Sequence, residues 1–215
     1  MSQRRSGYAR QRDEEYFTPA WVARVLAPFL RQRGAVHPWD PAAGAGNLVR
    51  TLSDEGFQVT GTTDDFLAKS SAPPNVDATV TNPPFGTGGR LACKFIEHAL
   101  ELTPIVGMLL RIDFDSGVTR THLFRDNLIF EKIVLLHRVV WFANEGEHEE
   151  PSFNHCWMIW DQRHHGPPTI AYAGNLDESK PPRPAPARPL DQILRGYCDA
   201  QSRILTARGG GNDAG

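Results

Sequence analysis

Cysteine is scarce in this chain and poorly placed for cross-linking. Cys93, Cys156 and Cys198 are odd in number and widely separated, with no Cys-x-x-Cys pair. That argues against a disulfide framework and a zinc site, and points to a reducing, cytoplasmic setting. Long apolar runs are also missing: none approaches the ~20 residues that span a bilayer, and no charged leader with an apolar segment opens the sequence, so neither a membrane protein nor an exported one is expected. Charge of one sign is not in excess. The formal net charge of −2 gives no global attraction to nucleic acid, although Arg4, Arg5, Arg10 and Arg12 make the first 15 residues a locally basic tail. His148, His155, His164 and His165 gather near Glu147, Glu149 and Glu150, but without His-Glu-x-x-His spacing, so no metal site is expected.

What remains suits one α/β domain. At 215 residues and 40% hydrophobic content the chain can bury a sizeable core. Apolar residues recur at helical spacing over residues 20–30, with Thr18 as the expected N-cap and Pro19 at the first helical position. A strand is predicted over 35–40, a glycine-rich turn over 42–47, a helix over 48–55, a second strand over 57–62 and a third over 76–80. The alternation continues through a helix at 91–102, a strand at 105–110, a helix-like stretch at 121–127, a strand at 129–136 and apolar strands near 153–160 and 169–173. That rhythm predicts an open, mostly parallel sheet covered by helices on both faces, within a domain spanning 16–176. From 177 to 215 come a proline-rich linker, a short helix expected over 190–205 and a glycine-rich, disordered end.

Four constellations carry chemistry. Thr81-Asn82-Pro83-Pro84-Phe85-Gly86 closes the third strand, where α/β folds place their ligands. The Asn82 side-chain oxygen and the Pro83 carbonyl can each accept a hydrogen bond from one –NH2 group, Pro84 stiffens the tip, and Phe85 offers a flat face to the ring bearing that amine. Asp40-Pro41-Ala42-Ala43-Gly44-Ala45-Gly46-Asn47 sets an acid at a strand terminus before a turn that a ligand can approach closely, and Asp40 there suits an amine or hydroxyl. It is not a dinucleotide fingerprint, since Val49 holds the third glycine position, and no Lys-Ser/Thr follows as in a P-loop. Asp64-Asp65-Phe66 offers carboxylates and an aromatic face after the second strand; a solvated acidic loop explains it almost as well. Phe17-Thr18-Pro19 pairs a hydroxyl with a helix N-terminus, an arrangement that equally serves as a plain cap.

In this order the four resemble the motifs of S-adenosylmethionine-dependent DNA adenine methyltransferases over residues 16–160, in detail the small phage and prophage enzymes. The resemblance implies a Rossmann-like class I fold with an antiparallel element near the C-terminal edge. It also implies S-adenosylmethionine as cofactor. Thr18 and Pro19, with Phe17, would border its methionine end; Asp40, Pro41, Ala42, Gly44, Gly46 and Asn47 would form its main turn; and Asp65 and Phe66 would hold its adenine. Asn82, Pro83, Pro84 and Phe85 would receive an adenine flipped from DNA. The loop after the second strand is short for the family, and Thr63 falls where a ribose-binding acid is usual, leaving Asp64 to substitute. DNA contact would fall to residues 113–127, 144–154 and the tail, with a protein partner or a second copy supplying target recognition. RNA adenine, a protein glutamine amide, or a catalytically silent subunit remain the alternatives.

Overall fold

The computed structural model describes residues 18–125, 129–141 and 153–174. The basic tail, Phe17, most of the 144–154 loop and everything from residue 175 onward, including the expected linker and terminal helix, lie outside the described residues. Helix α1 (Ala20–Gln32) buries Val22, Ala23, Leu26, Ala27 and Leu30, an apolar stripe repeating every three to four residues. Pro19, rather than Thr18, is its N-cap residue, and no side chain caps it. Pro19 sits in extended conformation with ψ at 145°, so helical geometry begins one residue later than the Thr-Pro pair suggests.

Strands β1 (Pro38–Asp40), β2 (Thr60–Gly61), β3 (Ala78–Thr81), β4 (Ile105–Arg111), β5 (Ile129–Leu135), β6 (His155–Asp161) and β7 (Thr169–Ala173) form one sheet in the order β2-β1-β3-β4-β6-β5-β7. The first two are shorter than the sequence predicts. Asp77 takes the N–H groups of Val36 and His37 at 2.7 and 3.0 Å, so β1 starts only at Pro38. β2 is the outer strand on that side, and only Thr60 and Gly61 keep register with β1. Pairing is parallel throughout except around β6, which runs antiparallel to both β4 and β5. The apolar segments at 155–161 and 169–173 are therefore not partners: β5 lies between them, and β7 pairs with it in parallel.

Helices α1 and α2 (Asn47–Asp54) cover one face and α3 (Arg90–Leu102) the other. β4 shows why its sequence is apolar without alternation: Ile105 and Leu109 join the α1 side, while Val106, Met108 and Leu110 join the α3 side. Gly107 leaves room for its neighbours, because a Cβ there would sit 3.3 Å from Val80 of β3 and 3.7 Å from Leu26 of α1. The buried indoles of Trp157 and Trp160 donate to the carbonyls of Val22 and Leu123 at 2.9 and 2.8 Å, tying β6 to layers on both faces. Of the helix expected over 121–127, the described residues hold the turn α4 (His122–Arg125), and residues 126 and 127 lie outside them.

Candidate active site

The chain reaches β2 on one side of β1 and β3 on the other, so the connections diverge at the carboxyl ends of β1 and β3 and leave a crevice between them. Asp40 is the last residue of β1 and Thr81 the last of β3. Asp40 is only 2% exposed, and burial pushes its carboxyl up to about 6, against the opposing pull of the Thr81 hydroxyl and the Ala42 N–H. That N–H donates to the carboxylate at 3.2 Å, folding the chain back as it leaves the strand.

The turn that follows is fixed from several directions. Thr62 N–H donates to the Asp40 carbonyl at 2.9 Å and Ala43 N–H to the Thr62 carbonyl at 3.0 Å, so the loops after β1 and β2 are bonded to each other. Trp39 adds its indole N–H to the Thr62 hydroxyl at 3.0 Å. Gly44 and Gly46 have φ of 49° and 77°, in the left-handed region, and a Cβ on Gly44 would meet nothing within 4 Å. Gly46 is the N-cap residue of α2 and no side chain caps that helix, which leaves an amide-lined cradle open to a ligand. Pro41 is buried beside it and Ala42 half-buried. Asn47 is engaged elsewhere: Arg50 donates to its side-chain oxygen and to the Ala45 carbonyl, bracing the turn from outside.

Directly after Thr81, Asn82 is half-buried, Pro83 buried, and Pro84 and Phe85 half-buried, with Phe85 resting on the α3-side core. The chain then turns sharply through Gly86, whose φ is 62° and whose Cβ would stand 2.8 Å from that of Leu91. Gly88 and Gly89 are also left-handed, at 65° and 77°. Arg120, which the sequence reading did not single out, fastens this loop by donating to the Gly88 carbonyl at 2.8 Å.

The acidic loop engages groups of the chain itself. Asp64 pairs with Lys69, whose hydrogen bond holds its carboxyl below the usual range. Asp65 caps its own short turn, accepting from Leu67 N–H at 3.1 Å. Phe66 is a core ring, 2% exposed, packed against Trp39, Phe95 and His98 at centroid distances of 5.3, 4.9 and 4.9 Å. Little of its surface is left for a ligand. Thr18 is buried at 5% ahead of α1 and does not cap it. Among the described residues, no three His, Cys, Asp or Glu side chains gather as a metal site, and no helix is long and apolar enough to cross a membrane.

No protein-family model and no curated protein matches the sequence. Solved structures do resemble the fold. A chain of a type I R-M system aligns over 91% of this chain and 52% of its own length, at 15% identity and a TM-score of 0.50. This is the Rossmann-like methyltransferase fold. A protein provisionally described as an RNA methyltransferase, from Pyrococcus horikoshii, aligns over 69% of this chain and 87% of its own at 15% identity and a TM-score of 0.49. The modification subunit of a provisionally described type I restriction enzyme from Vibrio vulnificus YJ016 covers 86% of this chain and 53% of its own, at 14% and 0.48. The chain thus spans about half the length of either type I protein. Within this fold Asp40 and Asn82 flank the crevice, a placement that strand order alone determines.

Proposed function

We propose that this chain transfers a methyl group from S-adenosylmethionine to the exocyclic amine of adenine in DNA. The observation that carries the reading is the pairing, across one crevice, of an open glycine cradle ending at a buried Asp40 with the Asn82-Pro83-Pro84-Phe85 tip on the neighbouring strand. The cradle fits the cofactor: Gly44 leaves room where a side chain would intrude, the N-terminus of α2 presents amides, and Asp40 supplies a carboxylate for a charged amine. When bound, the cofactor supplies an electrophilic methyl group. The chain's own residues do the rest. The Asn82 side-chain oxygen and the Pro83 carbonyl would accept hydrogen bonds from the two N–H groups of the amine, drawing the nitrogen lone pair out of conjugation for attack; as the N–C bond forms the S–C bond breaks, the sulfur leaves as a neutral thioether and the surplus amine proton passes to solvent. Phe85 stacks on the base, and stacking of this kind contributes roughly 1–3 kcal/mol toward the few kcal/mol that extrusion costs. Residues 113–125 and a partner, either another protein or a second copy of this chain, would contact the surrounding DNA.

A second reading, a methyltransferase-fold subunit that binds nucleic acid without catalysis, is favoured by Phe66 being buried and Asp64 being paired with Lys69, since both are then less available to a cofactor adenosine. One assay separates the readings. Purified protein is incubated with labelled S-adenosylmethionine and, in parallel, unmethylated DNA, RNA and a cell-protein extract. Label in DNA adenine is expected. Label in RNA or in protein alone would redirect the substrate, and no heat of cofactor binding in calorimetry would support the silent subunit.

A further inference from the structure

The geometry points to Val118 as a wedge: on duplex DNA it enters the base stack where the target adenine leaves, with Arg120 as the positioning residue that fixes it relative to the 82–85 tip. This rests on the DNA-adenine reading above and adds the device that opens the duplex.

Val118 is 89% exposed, against 43% to 67% for the other exposed large hydrophobics among the described residues. It begins a 3-10 turn, Val118–Arg120, in the connection after β4. The connection is stiff. Lys132 donates to the Ile112 carbonyl at 2.8 Å and to Asp115 at 2.6 Å, Ser116 to the Asp113 carbonyl at 2.7 Å, and Thr121 to the Val118 carbonyl at 2.7 Å. Phe114 anchors the arch in the core at 3% exposure. The result is a β-branched apolar side chain with little rotamer freedom, held out from the protein on a braced loop.

Arg120 joins that arch to the tip. Its guanidinium lies 4.2 Å from the Phe114 ring centroid, donates to the Phe114 carbonyl at 2.8 Å, and reaches across to the Gly88 carbonyl at 2.8 Å. A Cβ on Gly89 would come within 3.1 Å of that guanidinium, so the glycine makes the space the tie needs. β3 and β4, which feed the two loops, are adjacent and parallel, with Thr81 level with Met108. Val118 itself lines an open cavity of about 370 Å³ with Phe124, Arg125 and Asp115, where a neighbouring nucleotide would meet an aromatic surface and a cation, the Asp115 carboxylate being paired with Lys132. Proteins that distort a duplex insert apolar side chains between base steps, and a wedge helps only if it is held beside the pocket that takes the extruded base.

The test compares transfer to three DNA substrates of one sequence: a fully paired duplex, the duplex with an abasic site opposite the target, and the single strand. Val118→Ala is expected to lower kcat/KM on the paired duplex by about tenfold or more while staying within about twofold on the other two, since neither requires a paired base to be extruded. Cofactor affinity and melting temperature should not change. Arg120→Lys keeps the charge but loses the two-pronged tie, and should lower kcat more on the paired duplex than on the other two with KM unchanged; an equal loss on all three would overturn its role in positioning the wedge. Equal activity of the Val118→Ala protein on all three, or an equal loss on all three, overturns the wedge. Failure of the unmodified protein to label any DNA overturns the underlying reading, and the wedge with it.

Discussion

Asp40 sets the needs of the fold against those of chemistry. With its carboxyl raised from 3.8 to about 6, the folded state binds a proton more tightly than the unfolded chain. The cost of ionising it in place is therefore absent below pH 3.8, grows between 3.8 and 6, and is complete above 6. Asp40→Asn should stabilise the protein by about 1–3 kcal/mol at pH 7.5 and by almost nothing near pH 3.5 in denaturant titrations, while weakening cofactor binding measured by calorimetry. Asn82, half-buried at the end of the neighbouring strand, is the residue to which the proposed reaction gives the amine. Asn82→Ala should lower kcat by about 100-fold, the scale of losing one aligned hydrogen-bonding group, with cofactor affinity within a few fold. Loss of both together would show Asn82 to be structural. That Asp40, the glycine turn and Asn82 stand at strand ends was legible because each belongs to a contiguous motif that follows an apolar run. Thr81 as the hydroxyl beside Asp40 and Arg120 as the tie to Gly88 were not legible, since both depend on where two separate strands end relative to each other.

Among the elements, the loop from Gly86 to Gly89 shows how local chemistry and packing meet. Three left-handed glycines turn the chain between the tip and α3, and at Gly86 both the conformation and the space forbid a side chain. Gly86→Ala should cost about 1–3 kcal/mol in chemical denaturation, and the displaced tip should lower transfer more than cofactor binding. The short elements explain where sequence patterning overreached. Residues 57–62 alternate like a strand, yet Phe57 turns into the α1-side core at 7% exposure and its N–H bonds the Leu52 carbonyl, leaving Thr60 and Gly61 to pair. Phe66 reads from sequence as an aromatic on an acidic loop; packing against Trp39, Phe95 and His98 makes it core instead. Alternation and motif position report what a segment can do locally, whereas a ring's final neighbours come from elements far along the chain.

At the scale of the whole molecule the sheet separates its two ends. The carboxyl ends of β1, β3 and β4 carry the crevice and the arch, whereas β6, running the other way, ends at Asp161 on the opposite side. Burial pushes the Asp161 carboxyl up, but Arg163 and Arg33 outweigh it and hold the group below the usual range, Arg163 donating at 2.9 Å and Arg33 at 2.6 Å. That stabilisation is present above pH 3.8 and is lost as pH falls through the lowered value. Asp161→Asn should cost about 1.5–3 kcal/mol at neutral pH by thermal or denaturant unfolding, the scale of hydrogen bonds to a charged group, and leave cofactor affinity unchanged. By itself the sequence determined the class of the fold, because strands buried on both faces must be apolar throughout and helices between them must carry a stripe. It also determined the chemical character of the crevice, since Asp40, the glycine turn and the 82–85 tip are contiguous motifs. Only the tertiary structure decided which strands neighbour one another, that Phe66 lies inside, that the ends of β1 and β3 bring Asp40 and Thr81 near each other and that Arg120 locks the arch to the tip. Those contacts join residues distant in sequence, and their geometry follows from strand order and register, which no local pattern of residues encodes.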